Sequence, residues 1–134
     1  MVGYVVTGHA EFAPGLASSL NLLVSSLPDF DAVPYRLGEE SSYLQRLTEA
    51  VSRVGQDEEG VIIFCDLMGG SPFNQAMALA KQTDGVEVIT GANLSMLLAA
   101  YNARAEGVTI EEQVATALKA GKDGINNPTA KDDA

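Results

Sequence analysis

The chain contains one cysteine, one histidine and no tryptophan, and it sets only eight Lys and Arg against eighteen Asp and Glu. Each scarcity closes a class of function. Cys65 alone forms no internal disulfide, and one histidine beside one cysteine is too small a set of soft ligands for zinc. No metal is therefore expected, and no other cofactor. A formal net charge of −10 with so few cations excludes a surface that neutralises nucleic-acid phosphates or anionic lipid. No apolar run approaches the ~20 residues of a membrane span, so direct membrane insertion is not expected. Met1-Val2-Gly3-Tyr4 lacks the basic flank and small-residue cleavage site of a signal peptide, which points to a cytoplasmic protein.

What remains is a chain of 134 residues, 46% hydrophobic, sized for one domain that buries about two-thirds of its unfolded surface. Residues 3–7 read as a strand that reaches His9 two positions later, with Gly8 able to turn the backbone. Phe12, Leu16, Leu20, Leu23 and Leu27 recur at helical spacing until Pro28. Residues 32–36 form a short second strand, and Pro34 places it at a sheet edge. Leu44, Leu47, Val51 and Val54 define a helix over 40–54.

Residues 86–90 are another strand between Gly85 and Gly91. Asn93 then caps a helix over 94–103, apolar enough to need cover from the core or a partner subunit. Thr109-Ile110-Glu111-Glu112 is a capping box for a last helix that Gly121 and Gly124 end. The alternation predicts a three-layer α/β/α fold around four parallel strands with right-handed crossovers.

Between these elements lies the most informative stretch, residues 61–74. Val61-Ile62-Ile63-Phe64-Cys65 is a continuous apolar run suited to a parallel strand covered on both faces. Cys65 fits there as a packing residue. Asp66 stands at the strand's carboxyl end, and Gly69-Gly70 precedes Ser71-Pro72, a favoured N-cap and a favoured first helical residue. A helix starting at Ser71, with Phe73, Met77 and Ala80 on one face, leaves unpaired amides that attract an anion such as a phosphoryl group.

In strand order 2-1-3-4, the carboxyl ends of the first and third strands are neighbours, and ligands bind where successive crossovers change sides. Asp66 can then accept a hydrogen bond from one imidazole nitrogen of His9 and fix its tautomer. The other nitrogen becomes an oriented nucleophile facing the helix start, which suggests phosphohistidine chemistry supported by the Ser71 hydroxyl and nearby amides.

Thr7-Gly8-His9, the string Asp66-Leu67-Met68-Gly69-Gly70-Ser71-Pro72-Phe73-Asn74, and Gly91-Ala92-Asn93-Leu94-Ser95-Met96-Leu97 together resemble the IIA component of mannose-family sugar phosphotransferase systems (PTS). The resemblance covers roughly residues 1–124 and leaves 125–134 as a tail. It implies a phosphocarrier: His9 accepts a phosphoryl group from phospho-HPr on Nε2 and passes it to a histidine of a IIB component, with Asp66 orienting the ring through Nδ1. It further implies phosphate contacts from Gly69, Gly70, Ser71, Phe73 and Asn74, a homodimer, and only indirect association with the membrane IIC and IID components. Met68, in a loop, is the partner-docking candidate. The family's fifth, antiparallel C-terminal strand, exchanged between subunits, would begin near Gly124, where Ile125-Asn126-Asn127-Pro128 is a poor strand.

Four other families share part of this pattern and differ from it at stated positions. A histidine phosphatase places an arginine just before its nucleophile, where this chain has Gly8. The phosphotransfer subunit of a dihydroxyacetone kinase usually shows Ser-His-Ser, against Gly8-His9-Ala10 here. A flavodoxin-like module would hold a phosphate-bearing cofactor in the Gly-Gly-Ser-Pro loop. A receiver domain needs acidic magnesium ligands at the end of its first strand, and none stands there.

Overall fold

A computed structural model describes residues 1–130. Its elements are β1 (Gly3–His9), α1 (Phe12–Leu23), β2 (Phe30–Tyr35), α2 (Tyr43–Val54), β3 (Val61–Cys65), α3 (Gly70–Gln82), β4 (Val86–Ile89), α4 (Leu94–Ala105) and α5 (Ile110–Asp123). The four strands are parallel in the order β2-β1-β3-β4, as expected. Pro34 lies on the edge strand β2, where its missing N–H leaves no ladder bond unmade.

The strict alternation of a strand sorts the core into two layers. Tyr4, Val6, Ile62 and Phe64 pack with Ala13, Leu20, Leu97, Ala100 and Ala117 from α1, α4 and α5. Val5, Ile63 and Cys65 pack on the other face with Leu47, Val51, Ala76 and Leu79 from α2 and α3. Both central strands are buried to their last apolar residue, so their carboxyl ends are held rigidly at the rim of the sheet. The chain passes from β1 to β2 on one side and from β3 to β4 on the other, which leaves the β1 and β3 ends side by side at the switch point.

Several details differ from expectation. β1 runs on through His9, so Gly8 is a strand residue rather than a turn. The helix expected over 40–54 opens with a 3₁₀ turn, Glu40–Ser42. The buried face of α3 is Pro72, Ala76 and Leu79, with Ala80 packed beside it, while Phe73 and Met77 stay half-buried. The expected triplet is equally helical in spacing, and small Ala76 gave no hint that it lies inward.

α4 is covered by α5 and α1 of the same chain rather than all round, and Ser95, Asn102 and Ala105 are exposed. Asn93 caps α4 by accepting from the Met96 amide at 2.9 Å, and Thr109 caps α5 by accepting from the Glu112 amide at 3.2 Å. Gly121 does not end α5 but lies inside it, where a Cβ would stand 2.8 Å from Met96 Cε. Residues 125–130 hold only a turn at 128–129, so no strand follows Gly124 among the described residues, and the rest of the tail lies outside them.

Candidate functional site

His9 ends β1, and its Cα pairs with that of Tyr35 on β2. On the β3 side, one residue past the end of that strand, Asp66 reaches back across the sheet rim. Its Oδ2 lies 2.8 Å from His9 Nδ1 and accepts from the His9 amide at 2.9 Å, while its Oδ1 accepts from the Leu67 amide at 2.8 Å. One carboxylate thereby grips both the backbone and the ring of the histidine.

Partial burial pushes the Asp66 carboxyl up, but the His9 amide and ring and the Leu67 amide outweigh it and hold its pKa below the ordinary value. The carboxylate is therefore ionised near neutrality and accepts only, so the hydrogen between it and the ring belongs to Nδ1. In the neutral ring that tautomer leaves the lone pair on Nε2, and the His9 side chain is 47% exposed against 12% for Asp66. The arrangement is a carboxylate set behind an exposed imidazole edge.

Three glycines make this geometry possible. A Cβ on Gly8 would stand 2.7 Å from Asp66 Cγ, so any larger residue before His9 would displace the carboxylate. Gly70 has φ +83°, and a Cβ there would lie 3.4 Å from both Cε1 and Nε2 of His9. The turn into α3 thus runs directly past the Cε1–Nε2 edge of the ring. Gly69, at φ 86° and ψ 171°, occupies backbone space open essentially only to glycine.

Ser71 is not the N-cap expected of it. The helix opens at Gly70 after Gly69, with no side-chain cap, and the Ser71 Oγ accepts from Gln75 Nε2 at 2.7 Å. Pro72 sits in the first turn, where its missing donor costs nothing. The first-turn amides are therefore left without a side-chain acceptor, beside His9. Phe73 and Asn74 lie further along α3 and line its outer groove with Met77 and Lys81. Met68 is 73% exposed on the β3–α3 loop and Leu67 is 49% exposed beside it.

Three features escaped the sequence. Tyr35 sets its ring edge-on to the imidazole, centroids 6.1 Å apart, and meets buried Tyr43 in a second edge contact, with the Tyr43 hydroxyl bonding Thr7. Arg36 and Glu11 form a two-pronged ion pair, Nε to Oε2 at 2.6 Å and Nη2 to Oε1 at 3.0 Å. Gly8 matters for the space it leaves. Only strand register connects β2 to His9, and nothing local in residues 30–36 announces it. Cys65 is buried as expected, and burial followed by the nearby Asp66 charge pushes its thiol up to about 12.

The profile of the family described as "PTS system fructose IIA component" (EIIA-man) matches residues 3–118. The chain belongs to this PTS IIA family. It is 28% identical over 97% of its length to the mannose-specific EIIAB component of Escherichia coli K12, and it spans only 40% of that relative. The Bacillus subtilis fructose-specific EIIA component is 26% identical over 78% of this chain and 71% of that protein. Among solved structures, an EIIA component from Streptococcus agalactiae superposes with a TM-score of 0.83 at 25% identity, covering 96% of this chain and 98% of that one. A mannose/sorbose IIA subunit from Enterococcus faecalis shares the fold, with a TM-score of 0.78 at 22% identity over 99% and 98% of the two chains. The chain thus places its Gly69-Gly70-Ser71-Pro72 turn against His9 at the switch point. No helix among the described residues is long and apolar enough to cross a membrane, and no group of His, Cys, Asp and Glu there is arranged for a metal.

Proposed function

We propose that this IIA domain is a phosphocarrier of a sugar phosphotransferase system, with His9 as its phosphoryl acceptor. The observation that carries the reading is the 2.8 Å contact between His9 Nδ1 and Asp66, which leaves Nε2 as the free nitrogen at the Gly69-Gly70-Ser71 turn. In the transfer the Nε2 lone pair forms a bond to phosphorus as the N–P bond of phospho-HPr breaks. The donor imidazolium keeps its ring hydrogen and departs as a neutral imidazole. The His9 ring, still protonated at Nδ1, then carries a positive charge that Asp66 balances.

The Ser71 hydroxyl and the amides of Gly69, Gly70 and Ser71, unpaired at the helix start, are the donors we assign to the phosphoryl oxygens, with Phe73 and Asn74 flanking them on the next turn. Return of the group to a IIB histidine reverses the same steps. Exposed Met68 docks against these partners. We assign residues 1–124 to the IIA domain and 125–134 to its tail, and place the protein in the cytoplasm as a homodimer that meets the membrane IIC and IID components only through IIB. The relatives named for mannose, fructose and sorbose assign no sugar to this chain.

The test is phosphoryl transfer from phosphoenolpyruvate through enzyme I and HPr, read by intact mass. Addition of one acid-labile phosphoryl group, absent in His9→Ala, is expected. No addition to the wild type, with the donor proteins shown active on another acceptor, overturns the reading.

A further inference from the structure

A phosphoryl group on His9 brings a dianion to a domain of net charge −10, and only eight Lys and Arg are available to balance it. The strand register puts one of them at the right place. His9 pairs with Tyr35, the Ala10 amide donates to the Tyr35 carbonyl at 2.8 Å, and Arg36 is the next residue. Its guanidinium is turned to Glu11, two residues past His9, so the ion pair ties the end of β2 to the end of β1 just past the His9–Tyr35 pair.

Both partners are solvent-exposed, Arg36 at 40% and Glu11 at 67%, and Arg36 has a second carboxylate, Glu39, at 3.8 Å. A pair of this kind is weak and readily exchanged, whereas a guanidinium binds phosphoryl oxygens with the same two-pronged geometry and a stronger charge. Glu11 mimics, in the unphosphorylated protein, the acceptor that arrives with the reaction.

We propose that Arg36 is a phosphoryl-binding residue held in reserve by Glu11: when His9 is phosphorylated, the guanidinium leaves the carboxylate for the phosphoryl oxygens. No covalent bond changes in this exchange; one hydrogen-bond acceptor replaces another. It rests on His9 being the phosphoryl acceptor.

The test follows phosphorylation of the full chain by two donors, phospho-HPr and phosphoramidate, the second bringing no protein surface. Arg36→Met is expected to slow phosphoryl uptake from both donors by about ten- to a hundredfold, the loss of one charge-assisted contact. Arg36→Lys is expected to recover part of it, and Glu11→Gln, which frees the guanidinium, to match or exceed wild type. In the wild type the Arg36 Nε–H resonance shifts on phosphorylation, and it stays in place in His9→Ala treated identically. Wild-type rates in Arg36→Met overturn the proposal while leaving His9 as acceptor. A defect seen only with phospho-HPr makes Arg36 a docking residue and also overturns it. Loss of labelling in the wild type itself would sink the His9 reading first.

Discussion

The two ends of the sheet differ in a way that explains what this IIA domain is built to do. At the amino ends of β3 and β4 lies a hollow of about 650 Å³ between α2 and α3, lined by Thr48, Ser52, Gly55, Thr83 and Asp84 among others. At the carboxyl ends there is an open rim where His9 is half exposed and Asp66 is nearly covered. The roomier end carries no oriented nucleophile. The rim carries a ring fixed by a carboxylate, a helix start without a side-chain cap, and exposed Leu67 and Met68. An enzyme acting on a small molecule encloses it. A group handed from one protein to another must instead be reached by both, and an exposed, rigidly held nitrogen suits that purpose.

Changing the rim should therefore alter transfer, and changing the far end should not. The largest effect short of removing His9 is expected from Asp66→Asn, which keeps the shape but loses the ionised acceptor for Nδ1–H; rapid-quench phosphorylation should slow about 10- to 100-fold. Next comes Gly8→Ala, whose methyl would meet Asp66 Cγ at 2.7 Å. Overpacking of this kind costs about 1–3 kcal/mol, to be read by urea unfolding, and uptake should slow with it. Gly121→Ala is the paired control, since its Cβ meets Met96 in the α4–α5 contact. A similar stability loss with unchanged transfer would isolate the role of Gly8.

Ser71→Ala separates two roles for one hydroxyl. Because Ser71 does not cap α3, stability should change by less than about 0.5 kcal/mol, whereas transfer should slow about tenfold through loss of a donor to the phosphoryl group. A fall in stability with normal transfer would restore the capping role that the structure removes.

The pH response is subtler and has a definite sign. The Asp66 pKa is lowered on folding, so its contribution to stability is full above the ordinary carboxylate pKa and fades as pH falls through the lowered value. Thermal melts of wild type and Asp66→Asn should converge in acid and separate toward neutrality. At the far end, Ser52→Ala and Thr83→Ala should leave transfer within error of wild type, the smallest effect of all.

The backbone plan was legible because long-range order followed from local pattern. Strand and helix alternate cleanly, Pro34 marks the edge, and Asn93 and Thr109 cap where they stand in the sequence. His9 and Asp66 were legible for the same reason: both follow apolar strand runs, so the topology places them together. What the sequence hid depends on which neighbour a residue meets. Gly8 looked like a turn because the carboxylate it makes room for is 58 residues away in the chain. The inward face of α3 is marked by Ala76, too small to stand out against Phe73 and Met77. Tyr35 and Arg36 reach the site through parallel register alone. The cap lies two residues before Ser71, at Gly69, since paired glycines at positive φ begin the helix without needing the Ser71 hydroxyl.

The most direct measurement of the central claim is a proton–nitrogen correlation spectrum of the 15N-labelled domain, recorded before and after phosphorylation. The chain's single histidine makes the assignment unambiguous. The account predicts a lone pair on Nε2 and hydrogen on Nδ1 before the reaction, then phosphorus coupled to Nε2 with Nδ1 still protonated. Phosphorus on Nδ1, or on any residue other than His9, would contradict it.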